Sequence, residues 1–509
     1  MERRTRLSKT LFCLFVIVPA FWASTALGAM EINVTPDNPD IQAAIDAAGS
    51  GDTVVVADGT YFGPLSIVAK SLTIKSQHGS DSCAIVIGEN QTGTVITFSG
   101  SETAGSVLSG FTISGGNGVG YGGGIACLGG SSPTISDCDI ENNSSNFGGG
   151  GLYIKNSSPT IEECSISNND GGYFGGGVYI TDSSEPKLLS CLIVHNSADY
   201  YGGGILSAST YASSPIITNC TLADNRVDNP DYSEGGGIFS ASSFPRITNS
   251  ILWNNAAASG PEIYLTSYNS NSSPDDPPSK LAVSYSDVKG GEKAVVVDNS
   301  ASYSSTLIWD GTNIDKDPLF VGPDDYHLSP GSPCIDAGTD TVDLPEFDFE
   351  GEDPRILNGK PDMGADETTE TEVIVDIDIK PGSGHKEIDL RDKGVVPVAV
   401  LSSKDFDARM IDPKSVHFAN AAPVRFVLNN VYRNYHLDML FFFKTQQLDL
   451  DENSSEATLT GKTVEGVSFK GTGSVTIYKP KWKAKTLWKS AKIKHRYRHK
   501  HGHHRYCSK

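Results

Sequence analysis

Five charged residues crowd one short stretch, ADNRVDNPDYSEGGG, where Asp224, Asp228, Asp231 and Glu234 gather around Arg226. Carboxylate oxygens on a loop can hold calcium, and a nearby guanidinium can stabilise developing charge or abstract a proton. Such a set suits cleavage of an acidic polysaccharide by a lyase or a hydrolase. It reads equally as a solvated insertion loop. A second pair, Asp137 and Glu163, holds equivalent places in PTISDCDI and PTIEECSI. If these segments stack, the two carboxyls reach the separation of a retaining glycosidase pair. With Glu162 alongside and no enlarged loop adjoining them, they read as exposed strand charge.

Seven further carboxylates, Asp336, Asp348, Glu350, Asp353, Asp362, Asp366 and Glu367, lie close together near the end of the repetitive region. So dense a set repels itself, which predicts either a structural Ca²⁺ among them or Arg355 paired with one or two. Aromatic rings form a different pattern. Tyr121, Phe147, Phe174 and Tyr201 precede glycine runs and align rung by rung, with Tyr173 and Tyr200 beside two of them. Rings flanked by residues without side chains can present flat faces, and a row of faces at regular spacing suits stacking on sugar rings. The alternative is a stack that packs only on itself. The partner expected is therefore a polysaccharide or surface glycan, bound without catalysis, with the cleaving enzyme and a pure structural scaffold as the competing classes.

These residues recur because the chain repeats. Ile125, Leu152, Val178, Ile205 and Ile238 each follow a glycine triplet, at intervals of 27, 26, 27 and 33. Two further columns keep step: Pro133, Pro159, Pro186, Pro215 and Pro245, each followed five residues later by Cys138, Cys164, Cys191, Cys220 and Ser250, and then Asn143, Asn169, Asn196, Asn225 and Asn255. Glycine, proline and asparagine in every unit leave no room for a ten-residue helix. What remains is short β-branched segments broken by turns, one coil per unit. Strands joined by parallel crossovers coil right-handedly. The expected fold is all-β: a right-handed parallel β-helix, in which identical turn positions stack and glycine returns wherever the turn does.

The cysteine column has two readings, disulfides between neighbouring coils or stacked buried thiols, and inward isoleucines on either side favour thiols. The asparagines read as an amide ladder that satisfies turn backbone. Open coil ends must be covered. In NPDIQAAIDAAGSGD, Ile41, Ala44, Ile45 and Ala48 share one helical face, with Asp40 as N-cap and Gly49 as the stop, so a capping helix is expected over the first rung.

The 509-residue length suits such an array plus a further unit. Residues 1–29 combine Arg3, Arg4, Arg6 and Lys9 with an apolar run and a small-residue end, which reads as a signal peptide cut after Ala29 and predicts a secreted, extracellular or cell-surface protein. Net charge is −21, yet residues 479–509 hold nine Lys and three Arg with no acid, leaving −33 on the rest. That basic tail, with Trp482 and Trp488 interleaved, suits anionic surface polymers or membrane headgroups, and His499, His501, His503, His504 and Cys507 could chelate a metal.

The order IQAAIDAAGSGDTVVVADGTY, VLSGFTISGG, GGGI with SPTISDC repeats, DPLF, DYHLSPGSPCIDAG and DMGADE resembles secreted right-handed β-helix proteins of the choice-of-anchor Q kind. The resemblance implies the fold over residues 32–367 and no particular reaction. Residues 1–29, 30–50, 51–367, 368–478 and 479–509 are then expected to be signal, cap, β-helix, a small β-sandwich-like module and a disordered tail. Runs such as VPVAVL carry the sandwich expectation. Relatives usually carry an aspartate- and glycine-rich stretch at the place where this chain reads NNVYRNYHLDMLFFF and keeps only Asp438.

Overall fold

The computed structural model describes residues 29–479, apart from 88–90, 102–104, 210–211, 268–277, 301–303, 342, 352, 358, 369–371, 385, 405, 433–436 and 465–466. The signal peptide reading and nearly all of the basic tail lie outside the described residues.

Three parallel sheets of eleven, nine and nine strands run the length of a solenoid. At the usual spacing of about 4.8 Å between strands, eleven strands make a rod about 50 Å long. The repeat columns read from the sequence are true neighbours. Ile125 pairs with Leu152, Leu152 with Val178, Val178 with Ile205, and Ile205 with Ile238. Inward columns of Ile135, Ile161, Leu188 and Ile217, and of Ile140, Ile166, Ile193 and Leu222, are fully buried, so each coil adds apolar rungs to one continuous core.

Five successive coils of the repeat turn their first corner on a single left-handed residue. Asp137, Glu163, Ser190, Asn219 and Asn249 occupy that corner with φ between 46° and 58°. The next corner is formed in the same way by Asn142, Asn168, His195, Asp224 and Asn254. Asn and Asp tolerate this region because a short polar side chain can bond locally.

The glycine triplets have two causes. Gly175 opens its triplet at φ 55°, whereas Gly176 and Gly177 are held small by their neighbours. A Cβ on Gly176 would sit 2.3 Å from the Gly203 carbonyl, and one on Gly177 would sit 2.7 Å from that of Gly204. The asparagine column is an amide ladder: Asn143, Asn169, Asn196 and Asn225 each donate Nδ2 to the next Oδ1 at 2.9–3.1 Å. Each Nδ2 also donates to a carbonyl of the previous coil, so buried polar groups are satisfied twice over.

All four thiols of the cysteine column are free and buried. Their Sγ atoms lie 3.1–3.4 Å from the carbonyls of Ser136, Glu162, Leu189 and Thr218. Ser250 and Ser286 continue the column with hydroxyls making the equivalent bond, at 2.9 and 2.8 Å.

A helix over Ile41–Ala47 caps the open rung and buries Ile41, Ala44 and Ile45. Asp40 accepts from the Ala43 amide at 2.8 Å as expected, but the helix ends at Ala48 rather than Gly49. Lys70 Nζ donates to the carbonyls of Ile45, Asp46 and Ala48, which supplies the positive charge a helix C-terminus favours. At the far end two four-stranded sheets enclose a separate core with Phe418, Phe441, Phe443 and Phe469. There Asp438 accepts the amides of Ser402 and Val431, a structural role. Among the described residues no helix is long and apolar enough to cross a membrane.

Candidate functional site

Aromatic rings line one edge of the solenoid as a continuous ribbon. Phe147, Tyr173 and Tyr200 form one column, with ring centroids 5.8 and 5.5 Å apart. Phe174 and Tyr201 form a second, stacked with ring planes parallel within 2° at 5.8 Å. Tyr121 aligns with Gly148 rather than Phe147, which corrects the sequence alignment: FGGGG carries one glycine more than the other units. Tyr179 fills the space above that glycine, since a Cβ on Gly148 would meet its ring at 2.5 Å.

Behind these columns, the outward face of the second sheet carries Tyr153, Tyr179, Leu206, Phe239 and Tyr264 in register. Tyr121 stacks on Tyr153 at 4.9 Å, and Tyr201 meets Phe239 at 4.6 Å. The ribbon therefore has a buried backing and an open front. Phe239 and Tyr264 are buried, while Tyr121, Phe147 and Tyr173 are 45%, 42% and 43% exposed. Neither expectation is met in its pure form, because the rings pack on each other and still face solvent.

The five charged residues of the long rung do not converge. Arg226 is held by Asp228 at 3.1 Å, both exposed. Asp231 faces solvent, with its amide bonded to Asn229. Glu234 lies against Tyr264, and burial raises its carboxyl above the ordinary value. Asp224 sits at the second corner, where its Oδ2 accepts from Tyr326 at 2.8 Å. A single-residue turn separates it from the loop in space although not in sequence. Tyr326 also bonds His195 Nε2 at 3.0 Å, and His195 meets Asp324 at 3.2 Å.

That contact belongs to a groove on the outer face of the third sheet. One cavity of about 360 Å³ is lined by Asp81, Asp137, Asp139, Glu163, Phe349 and Glu350. A second, of about 380 Å³, shares Ser165 with it and continues past Leu192, Val194 and His195 to Tyr326. The wall that sequence reasoning missed is supplied by the returning chain. Ser190, Asn219 and Asn249 of the first corner bond the carbonyls of Phe347, Asp362 and Thr339, and Lys187 pairs with Asp343 at 2.8 Å. Asp137 and Glu163 thus gain the adjoining segment that their own rungs lack. Burial, reinforced by Glu162 and Asp137, pushes the Glu163 carboxyl up to about 7.

Residues 70–213 and 145–276 match the family model of the right handed beta helix region. The chain carries a right-handed β-helix. No curated protein matches it. Among solved structures, the pectate lyase Pel9A shares 15% identity at a TM-score of 0.45, over 67% of this chain and 96% of that one. Two crystal structures of pectin methylesterase with bound hexasaccharides share 14% identity at 0.33, over 61% of this chain and 95% of theirs. The β-helix assignment itself rests on the register of this chain's own strands.

Against the β-helix, the acid-rich return is organised around Arg355, which is fully buried. Its Nη1 donates to Ala365 and its Nη2 to Gly364, both at 2.7 Å, and Glu367 lies 3.8 Å from Nε. The remaining acids are dispersed over backbone amides. Asp362 accepts from Asp336 and Thr368, Asp366 from Leu328, and Asp348 from Glu350 and Asp353. Among the described residues no three acidic, histidine or cysteine side chains converge as a metal site. Glu350 instead pairs with His327, which Asp325 also contacts. Burial opposes the charge on His327, but these two carboxylates outweigh it and push the imidazole up to about 9. The signal for this wall was present in DDYHL, whose Tyr326 and Leu328 alternate inward.

Proposed function

We propose that the protein is an exported polysaccharide-binding protein that receives its glycan on the aromatic ribbon. The observation that carries this reading is the exposure of Tyr121, Phe147 and Tyr173, each above two-fifths, on a buried aromatic backing. Aromatic faces prefer contact with apolar or CH-rich surfaces, and a rigid row of them can meet successive sugar rings without the entropy loss of ordering a loop. The basic tail would hold the protein to anionic surface polymers or headgroups. The deciding experiment is affinity electrophoresis through a panel of immobilised polysaccharides with the triple variant Tyr121→Ala, Phe147→Ala and Tyr173→Ala. The native protein is expected to be retarded by at least one polymer, and the variant is expected to lose most of that retardation. Equal retardation of both would end this reading.

A second reading has its own observation. Glu163, with its carboxyl pushed up to about 7 beside Asp137 in a walled groove, has the proton affinity of a general acid near neutrality. The hydrolytic alternative therefore belongs to this groove rather than to the loop from Asp224 to Glu234. Release of reducing ends that disappears in Glu163→Gln would support it.

A further inference from the structure

The ribbon has a charge as well as a shape. Asp199 and Asp228 occupy one column immediately beside Tyr173 and Tyr200, where the Asp199 amide bonds Gly172 and the Asp228 amide bonds Ala198. Asp170 stands close enough that it and Asp228 both raise the Asp199 carboxyl, although burial contributes more. All three are exposed. On the other flank, Glu234 and Asp298 meet the Tyr264 hydroxyl. Among the described residues, Arg226 is balanced by Asp228 at 3.1 Å and Lys155 by Asp182 at 3.3 Å, which leaves Asp170, Asp199, Glu234 and Asp298 as the acids along the ribbon with no ion pair to a cation. A polymer lying across these rings therefore meets a strip of net negative charge.

A uronate chain would bring a carboxylate to every residue and be repelled along its whole contact. A chain bearing ammonium groups would be attracted at each step. We infer that the ribbon's ligand is a cationic glycan, an amino-sugar polymer with free amines, and that polyuronates are excluded by Asp170 and Asp199, the charge of Asp228 being balanced by Arg226. This inference rests on the ribbon being the glycan surface.

The test measures binding of the full chain at pH 6 and low salt to three hexasaccharides: glucosamine, N-acetylglucosamine and galacturonate. The glucosamine hexamer is expected to bind about ten-fold more tightly than its acetylated form, the sum of a few exposed charge contacts. The galacturonate hexamer is expected not to bind. Asp170→Asn with Asp199→Asn should reduce the preference to less than about two-fold by weakening the glucosamine hexamer's binding, and the amide oxygen introduced by Asp170→Asn can still accept from the Gly172 amide. Equal affinity for the amine and acetylated forms, or tighter binding of galacturonate, would overturn the charge assignment but leave the ribbon as a glycan surface. A preference that survives in the double variant would place its origin elsewhere and overturn the assignment too. Binding of none of the three at any ratio, with unchanged behaviour of the triple ring variant, would remove the ribbon reading itself.

Discussion

Asn255 donates Nδ2 to Glu262 Oε2 at 2.6 Å, so a ladder of five buried amides ends on a carboxyl group. Burial is the larger influence on Glu262 and outweighs the bonds from Asn255, pushing the carboxyl up to about 7 from 4.5. A carboxyl raised on folding gives its full stabilisation below the unfolded value, and loses it as pH climbs through the folded one. The window is therefore pH 4.5 to 7. Relative to Glu262→Gln, whose amide oxygen can still accept from Asn255, the native protein should lose about 3 kcal/mol across that window and nothing further above it. Denaturant unfolding of both proteins at a series of pH values measures this, and a difference independent of pH would refute it.

The thiol column makes a separate prediction. Burial lifts Cys164 and Cys191 well above the ordinary thiol range, and each already has a carbonyl partner. A buried, high-pKa thiol is a poor nucleophile. Cys138, Cys164, Cys191 and Cys220 should resist alkylation in the native protein, and all should be labelled after denaturation without reductant. Reductant should leave the melting temperature unchanged, whereas loss of a true disulfide would cost about 2–5 kcal/mol.

Glycines of the repeat should divide by neighbour rather than by type. A Cβ on Gly176 would lie 2.3 Å from a backbone oxygen, and one on Gly120 would meet nothing. Gly176→Ala should destabilise by about 1–3 kcal/mol or more, because backbone cannot move aside as a flexible side chain does. Gly120→Ala should fall within about 0.5 kcal/mol of the native protein. Paired urea titrations distinguish the two, and equal effects would contradict the close approach.

The sequence made the coil legible because a solenoid turns periodicity in the chain directly into contact in space. Ile135 and Ile161 stand 26 places apart in the text and pair across one strand gap. The site was less legible, for two physical reasons. The extra glycine in FGGGG shifted Phe147 by one place, enough to move it from the Tyr121 column to that of Tyr173. The groove depends on contacts outside the period altogether: Ser190 reaches Phe347 and Asp224 reaches Tyr326, separations of 157 and 102 residues. A column rule carries no information about such contacts. Asp224 and Glu234 show the converse, near in sequence and parted by a corner.

Ring substitutions should separate backing from front. Phe239 is 2% exposed and packs on both Tyr201 and Tyr264, so Phe239→Ala should cost about 3–5 kcal/mol of stability. Phe147→Ala removes a ring that is 42% exposed and should cost much less stability, while weakening glycan retention about two- to thirteen-fold if each stacked ring contributes about 0.5–1.5 kcal/mol. Thermal unfolding beside affinity electrophoresis reads both quantities. Large destabilisation by Phe147→Ala would mean the front rings serve only the fold.

Removal of Arg355 should release the groove wall. Its guanidinium donates to Ala365 and Gly364 while facing Glu367 and Asp362, whose carboxyls burial pushes up to about 8 and about 6. Arg355→Met keeps the volume but leaves those carbonyls without their donors and the acids without their cation. Deleting the guanidinium leaves two buried carbonyls without donors and the ionised Asp362 without its cation, which together should cost about 3–5 kcal/mol. The loss should be local, since the solenoid core of stacked isoleucines does not include the return segment. Limited proteolysis is the direct readout: cleavage within 337–367 should precede any within 107–266, and the native protein should show neither at the same protease dose. A chelator should leave the native melting temperature unchanged, because the centre of this acidic segment is a guanidinium. A fall on chelation, or global rather than local cleavage in Arg355→Met, would show that the wall is held by something other than this residue.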